Sequence, residues 1–167
     1  VKVQRTINAV VQELTGISNA ILEREKTFEI VLEQFTQFVE TACADVPREI
    51  ERCLFTQNGN EFDIPILIHV MHRHGFSPAT YLRRWRITNS VDMLPFCRNS
   101  SLLDNTKLMH TKEGKAIFKL GDIYKMVVGR PLVGAHGALQ DAMGVCEILK
   151  ASEPLRQAVL DDVQNNK

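Results

Sequence analysis

A chain of 167 residues is about one domain's worth. Its 44% apolar and 24% charged content is that of an ordinary globular protein, which excludes wholesale disorder. Twenty basic residues balance twenty acidic ones, so the chain does not coat nucleic acid by bulk charge, although a local basic strip stays open. No apolar run approaches the roughly 18 to 20 residues of a membrane span, so no membrane partner is expected. With no Met at position 1 and no signal segment, the chain is expected to be an excised piece of an intracellular protein, in nucleus or cytoplasm.

Apolar positions Ile7, Val10, Val11 and Leu14 form a helical stripe that ends at Gly16, in a Leu-Thr-Gly-Ile-Ser turn. A second helix is predicted from about Thr27 to Ala42, where Phe28, Val31, Leu32, Phe35, Val39 and Ala42 share one face. The apolar run Arg52 to Thr56 reads as a buried strand, followed by a Gln57-Asn58-Gly59-Asn60 turn. Phe62, Ile66, Leu67 and Val70 mark a helix to about His74, with Pro65 in its first turn, where the missing N–H costs little. Trp85 to Val91 alternates like a strand, and residues 98 to 116 read as a polar connector. A helix from about Leu120 to Val128 should end at Gly129. The next opens near His136, with Leu139, Ala142, Met143, Cys146 and Leu149 as its core face, and Pro154 sets off an exposed helix from Leu155 to Val163. The expected division is a domain over residues 1–150 and a C-terminal helix over 151–167.

Cys43, Cys53, Cys97 and Cys146 lie ten, forty-four and forty-nine residues apart, which fits no zinc spacing. They are read as reduced, mostly buried thiols. His69 and His72 have a metal-compatible helical spacing but no Cys or acidic partner at ligand spacing, so a wet helix end is the reading adopted.

Two patterns carry chemistry. In Phe55 to Leu67, a strand and a tight turn lead into a helix whose first turn presents Asp63, at the C-terminal end of a strand, where open α/β sheets place ligands. An acidic residue favoured by the helix dipole explains Asp63 equally well. In His136-Gly137-Ala138-Leu139-Gln140-Asp141, five residues of ideal helix would part the two side chains by about 140° and some 7.5 Å. They meet only if His136 sits in the loop before the helix, which Gly134 and Gly137 permit, and Asp141 lies on the helix's second turn. The alternative is an ordinary amphipathic helix with a capping histidine.

Taken in order, a strand, Asn58-Gly59-x-x-Phe62-Asp63-x-Pro65-Ile66-Leu67, Val91-Asp92, Leu120-Gly121-Asp122-Ile123-Tyr124 and His-x4-Asp resemble the DnaQ-like 3′→5′ exonucleases with a histidine base, the DEDDh group. Within it the pattern is most similar to the three-prime repair exonucleases, the TREX family, over about residues 5 to 150. The resemblance implies an α/β, ribonuclease H-like exonuclease fold, helix-rich here. It also implies phosphodiester hydrolysis assisted by two Mg²⁺ or Mn²⁺ ions ~3.5–4 Å apart. Asp63 and Asp141 would be metal ligands, since hard cations take oxygen donors. His136 would accept the proton of the attacking water. Leu14 and Phe62 would pack on the terminal base, and Asn58 matches a position beside the metal site. The implied partner is a single-stranded DNA 3′ end, with RNA the second choice.

The chain departs from this family at one serious point. The family's first motif, Asp-x-Glu on an opening strand, has no counterpart before the Leu-Thr-Gly turn. Half the metal ligands and about three strands are therefore expected to be missing, leaving an unpaired strand edge that a second copy or a partner would cover. Gln57, where many relatives carry His, is a lesser departure. A catalytically dead binding or scaffold module is the alternative reading. Arg83, Arg84, Arg86 and the lysines from Lys107 to Lys125, with Arg130, read equally as phosphate contacts or as solvated surface.

Overall fold

The computed structural model describes residues 6–135 and 137–165, without the side chain of Leu14. The helices are α1 (Ala9–Thr15), α2 (Asn19–Arg24), α3 (Phe28–Ala42), α4 (Asp63–Arg73), α5 (Pro78–Trp85), α6 (Met93–Arg98), α7 (Leu120–Val128), α8 (Ala138–Ala151) and α9 (Glu153–Asn165). Two strands, β1 (Arg52–Thr56) and β2 (Ile87–Asp92), pair in parallel, joined through α4 and α5. Among the described residues this is a helix-rich α/β fold. It divides into two compact units, one holding residues 1–52 and 68–88, the other 53–67 and 89–167.

In the first unit, Asn8 accepts the Val11 N–H to start α1, and Gly16 ends it in the left-handed conformation. A Ser18 cap opens α2, which is too short for periodicity to reveal. Helix α3 follows its expected span, with Phe28, Leu32 and Thr36 buried. The Thr27 hydroxyl, the residue's own backbone N–H and His74 hold the Glu29 carboxyl down to about 2. His74 is thus engaged, its Nδ1 2.7 Å from Glu29 and its ring 5.0 Å from that of Phe28.

Trp85 ends a helix and does not open a strand, correcting the sequence reading. Ser77-Pro78 starts α5, with proline in the first turn where it is tolerated. Arg86, at φ 58°, closes it, and its guanidinium donates to the carbonyls of Pro47, Arg48 and Ile50. The fully buried indole donates to Thr36 Oγ1 at 3.0 Å and meets Phe35 edge-on at 5.2 Å. Arg84 reaches Glu40 and Glu33 at 2.7 and 3.2 Å, so this arginine joins α5 to α3.

The second unit packs Met93, Cys97, Leu103, Leu108, Ile123, Tyr124, Val145, Ile148 and Leu155 into one core. The connector from 98 to 116 supplies Leu103 and Leu108 to it, and a bridge pairs His110 with Ala116. Helix α7 has its expected bounds, ended by Gly129 at φ 82°. Helix α8 is rotated from expectation: Gly144, Val145 and Ile148 are buried, while Leu139, Ala142, Met143 and Cys146 are exposed and, of the expected face, Leu149 alone packs against the core. Gly144 explains the choice, because Leu132 and Tyr124 press against the space its side chain would fill. Helix α9 is likewise not an exposed appendage, since Leu155 and Val159 are buried and it packs on α6 and α8.

All four cysteines are free, and only Cys97 is buried, so the expectation of mostly buried thiols is corrected. Burial, then the charge of Asp92, pushes the Cys97 thiol up to about 12. Among the described residues no helix is long and apolar enough to cross a membrane.

Replacing Thr36 by Val should leave the Trp85 N–H unsatisfied and lower stability by about 1–3 kcal/mol. Urea unfolding followed through the fluorescence of this sole tryptophan reads it directly, with Thr36→Ser close to the parent. An unchanged midpoint in Thr36→Val would contradict the role given to this bond.

Candidate active site

Both strands of the sheet end at the same side, as parallel pairing requires, and the loops that leave them meet there. β1 runs into the turn at residues 57–60. Asn58 holds a left-handed backbone at φ 62°, a conformation asparagine tolerates better than most residues. Gly59 is compulsory for a different reason: a Cβ there would lie 2.4 Å from Thr56 Cβ. β2 ends in Asp92, whose carboxylate is buried. Its Oδ1 accepts the Leu94 N–H at 2.9 Å, capping α6, and the Asn58 N–H at 2.7 Å. Its Oδ2 accepts the Asn60 N–H at 3.3 Å. One side chain therefore starts a helix and holds the turn.

Beside this turn lies a cleft with about 500 Å³ of accessible space. Gln57 and Asn58 line one part of it, and Gln57 donates to the Phe118 carbonyl at 3.4 Å. Leu94, Phe118 and Leu120 give it apolar wall, and Lys119 stands at the cap of α7. Asp122, from the first turn of α7, and Asp141, from the first turn of α8, bring carboxylates to the same cleft. Asp122 Oδ2 is buried and, among the described residues, has no hydrogen-bond partner.

Helix α8 opens at Ala138, so Asp141 falls in its first turn and not in the expected second. Gly134 takes φ 75°, its carbonyl accepts the Gly137 N–H at 3.1 Å, and Gln140 folds back over both. His136 lies outside the described residues, as does the side chain of Leu14, so the base and one base-packing position expected from sequence have no described geometry.

Of the other sequence candidates, Asn58 and Asp141 both line the cleft. Asp63 and Phe62 do not: Asp63 is exposed at the start of α4 and Phe62 is 58% exposed. Sequence reasoning gave no role to Leu94, Phe118 or Ala135, counted Lys119 only among possible phosphate contacts, and named Asp92 and Asp122 only as parts of a pattern. An acidic residue between a β-branched strand and a helix was a legible capping signal. Nothing local marked Phe118, which lies between the connector and α7.

The basic surface divides. Arg84, Arg86, Lys107 and Arg130 are engaged within their own units, Lys107 with Asp104 and Arg130 with Glu147. Lys119 lines the cleft.

A profile of the exonuclease family, of the RNase T type, matches residues 1–149, and the chain belongs to that family. Its fold is the α/β, ribonuclease H-like fold of those enzymes. Family membership brings nuclease chemistry, a nucleic-acid substrate and the general use of divalent cations such as Mg²⁺. No curated protein matches the chain.

Gly59→Ala should cost about 1–3 kcal/mol, because the added methyl meets Thr56 at its backbone end, where the side chain cannot swing away. Thermal unfolding would show it, and an unaltered melting temperature would mean the turn is looser than described.

Proposed function

We propose that this chain serves in 3′→5′ exonucleolytic hydrolysis of DNA, RNA being the second choice, in the manner of the TREX-type DEDDh enzymes. The observation that carries the reading is the cleft at the strand ends: Asn58 and Asp141, chosen from sequence motifs some eighty positions apart, line one space in a chain of the exonuclease family.

The cleft suits a strand end. Leu94, Phe118 and Leu120 offer apolar surface against which any base can stack, and Lys119 offers a cation to a phosphate. Phe62, exposed nearby in sequence to the turn, offers a further ring. In the proposed mechanism His136 takes the proton from the attacking water, as a general base.

Divalent cations, when bound, would supply positive charge that polarises the scissile phosphate and eases loss of a proton from the attacking water. Asp141 would help to hold them, and the Asp122 oxygen that has no hydrogen-bond partner among the described residues is a hard donor in the same cleft, whereas Asp63, the other ligand implied by the sequence motif, lies outside that lining. The donors fit such an ion in kind but not in number. Among the described residues no group of three or more His, Cys, Asp or Glu could hold a metal. Mg²⁺ sheds its water reluctantly for so few ligands, so the isolated chain is expected to be inactive or nearly so. A second copy or a partner chain completing the acidic set accords with that.

The test is metal-dependent release of mononucleotides from a 5′-labelled single strand, by the protein as purified from its source and by the 167-residue chain. The purified protein should shorten the strand from its 3′ end. Loss of even an outer-shell metal partner costs about 10–100-fold, so Asp141→Asn should cost at least the upper figure. Binding without cleavage by the purified protein would favour the scaffold alternative. Neither binding nor cleavage would contradict the proposal, and brisk cleavage by the 167-residue chain would contradict the shortage of ligands.

A further inference from the structure

Asp92 is a buried carboxylate that the proposed chemistry does not use. Among the described residues no cation pairs with it, and the hydrogen bonds it accepts all come from backbone N–H groups, those of Asn58, Asn60 and Leu94. A buried charge is tolerated only where its acceptor sites are filled, so these bonds are strongly directional constraints. Two of the three act on the turn that carries Asn58 into the cleft. The third fixes the start of α6, whose Leu94 forms part of the cleft's apolar wall.

We propose that Asp92 is a positioning residue of the cleft. Its ionised carboxylate holds the Asn58 turn and the start of α6 in one arrangement, and nucleic acid binds to that arrangement. This rests on the nuclease reading above. Geometry gives the proposal a graded signature. The acceptor duties are divided, with Oδ1 serving Asn58 and Leu94 while Oδ2 serves Asn60. Asparagine has one oxygen and one donating NH₂ group. With its oxygen in the Oδ1 position it keeps Asn58 and Leu94, but its NH₂ then opposes the Asn60 N–H. Alanine releases all three. The left-handed Asn58 then loses the bond that offsets its backbone strain.

The experiment compares the wild-type chain with Asp92→Asn, Asp92→Ala and Val159→Ala, the last a buried position of α9 outside the cleft lining. Amide hydrogen exchange is read by NMR, and affinity by anisotropy of a fluorescein-labelled oligothymidylate. In Asp92→Asn the Asn60 amide should exchange about tenfold faster, with strand affinity about tenfold lower, as the loss of one hydrogen bond to a charged group implies. Asp92→Ala should release the Asn58 amide as well and weaken binding further. Val159→Ala should lower the melting temperature and leave turn exchange and affinity unchanged. Should Asp92→Ala fail to fold, the asparagine variant decides alone. Unaccelerated exchange at Asn60 in that variant, or an equal affinity loss in Val159→Ala, would overturn the proposal. A wild-type chain that ignores the oligonucleotide overturns the nuclease reading and the binding half with it, while the exchange rates still decide whether Asp92 holds the turn.

Discussion

A single buried carboxylate couples the two strand ends of this protein. Asp92 closes β2, caps α6 and draws the Asn58 and Asn60 amides of the neighbouring loop onto its oxygens. Parallel pairing brings those loops to the same end, and Asp92 converts proximity into a fixed arrangement. The arrangement also requires Gly59, since Thr56 occupies the space of any side chain there. Charge and a missing Cβ thus act on consecutive residues of one short turn, and the cleft wall formed by Gln57 and Asn58 depends on both.

Much of the local structure was legible in the residues. β1 and α7 carry their boundaries openly, the first as an apolar run before Asn-Gly, the second as a stripe closed by a left-handed glycine. Helix α5 was misread because Trp85, Ile87 and Val91 alternate across the true boundary, which Arg86 sets through the carbonyls it gathers. The core face of α8 was misread for a tertiary reason. Leu139, Met143 and Cys146 make the more apolar stripe, yet the glycine at 144 permits the close approach of Leu132 and Tyr124, and that side is buried. Hydrophobicity alone ranks the two faces wrongly; the fit around Gly144 ranks them correctly.

The site was legible in part. Asn58 and Asp141 stand in motifs with fixed spacing, and both line the cleft. Phe118 lies just ahead of α7, Lys119 at its cap and Asp122 in its first turn, and neither the motif that holds Asp122 nor the run of lysines says that the three share one space, which folding reveals. Several basic residues that read as phosphate contacts are engaged otherwise, with Arg84 bound to two glutamates and Arg130 to Glu147. The proposed electrostatic attraction for a strand therefore centres on Lys119 and the amide-rich turn, and modest, salt-sensitive binding is the physical consequence.

The cleft as the place where a strand end binds is the claim on which the functional reading turns. Backbone chemical-shift mapping during titration with a short single-stranded oligonucleotide tests it most directly. Perturbations are expected to concentrate at Gln57, Asn58, Phe118 to Asp122 and Asp141, and to weaken as salt is raised. Perturbations confined to Arg83, Arg84 and Arg86, or no perturbation at low salt, would contradict it.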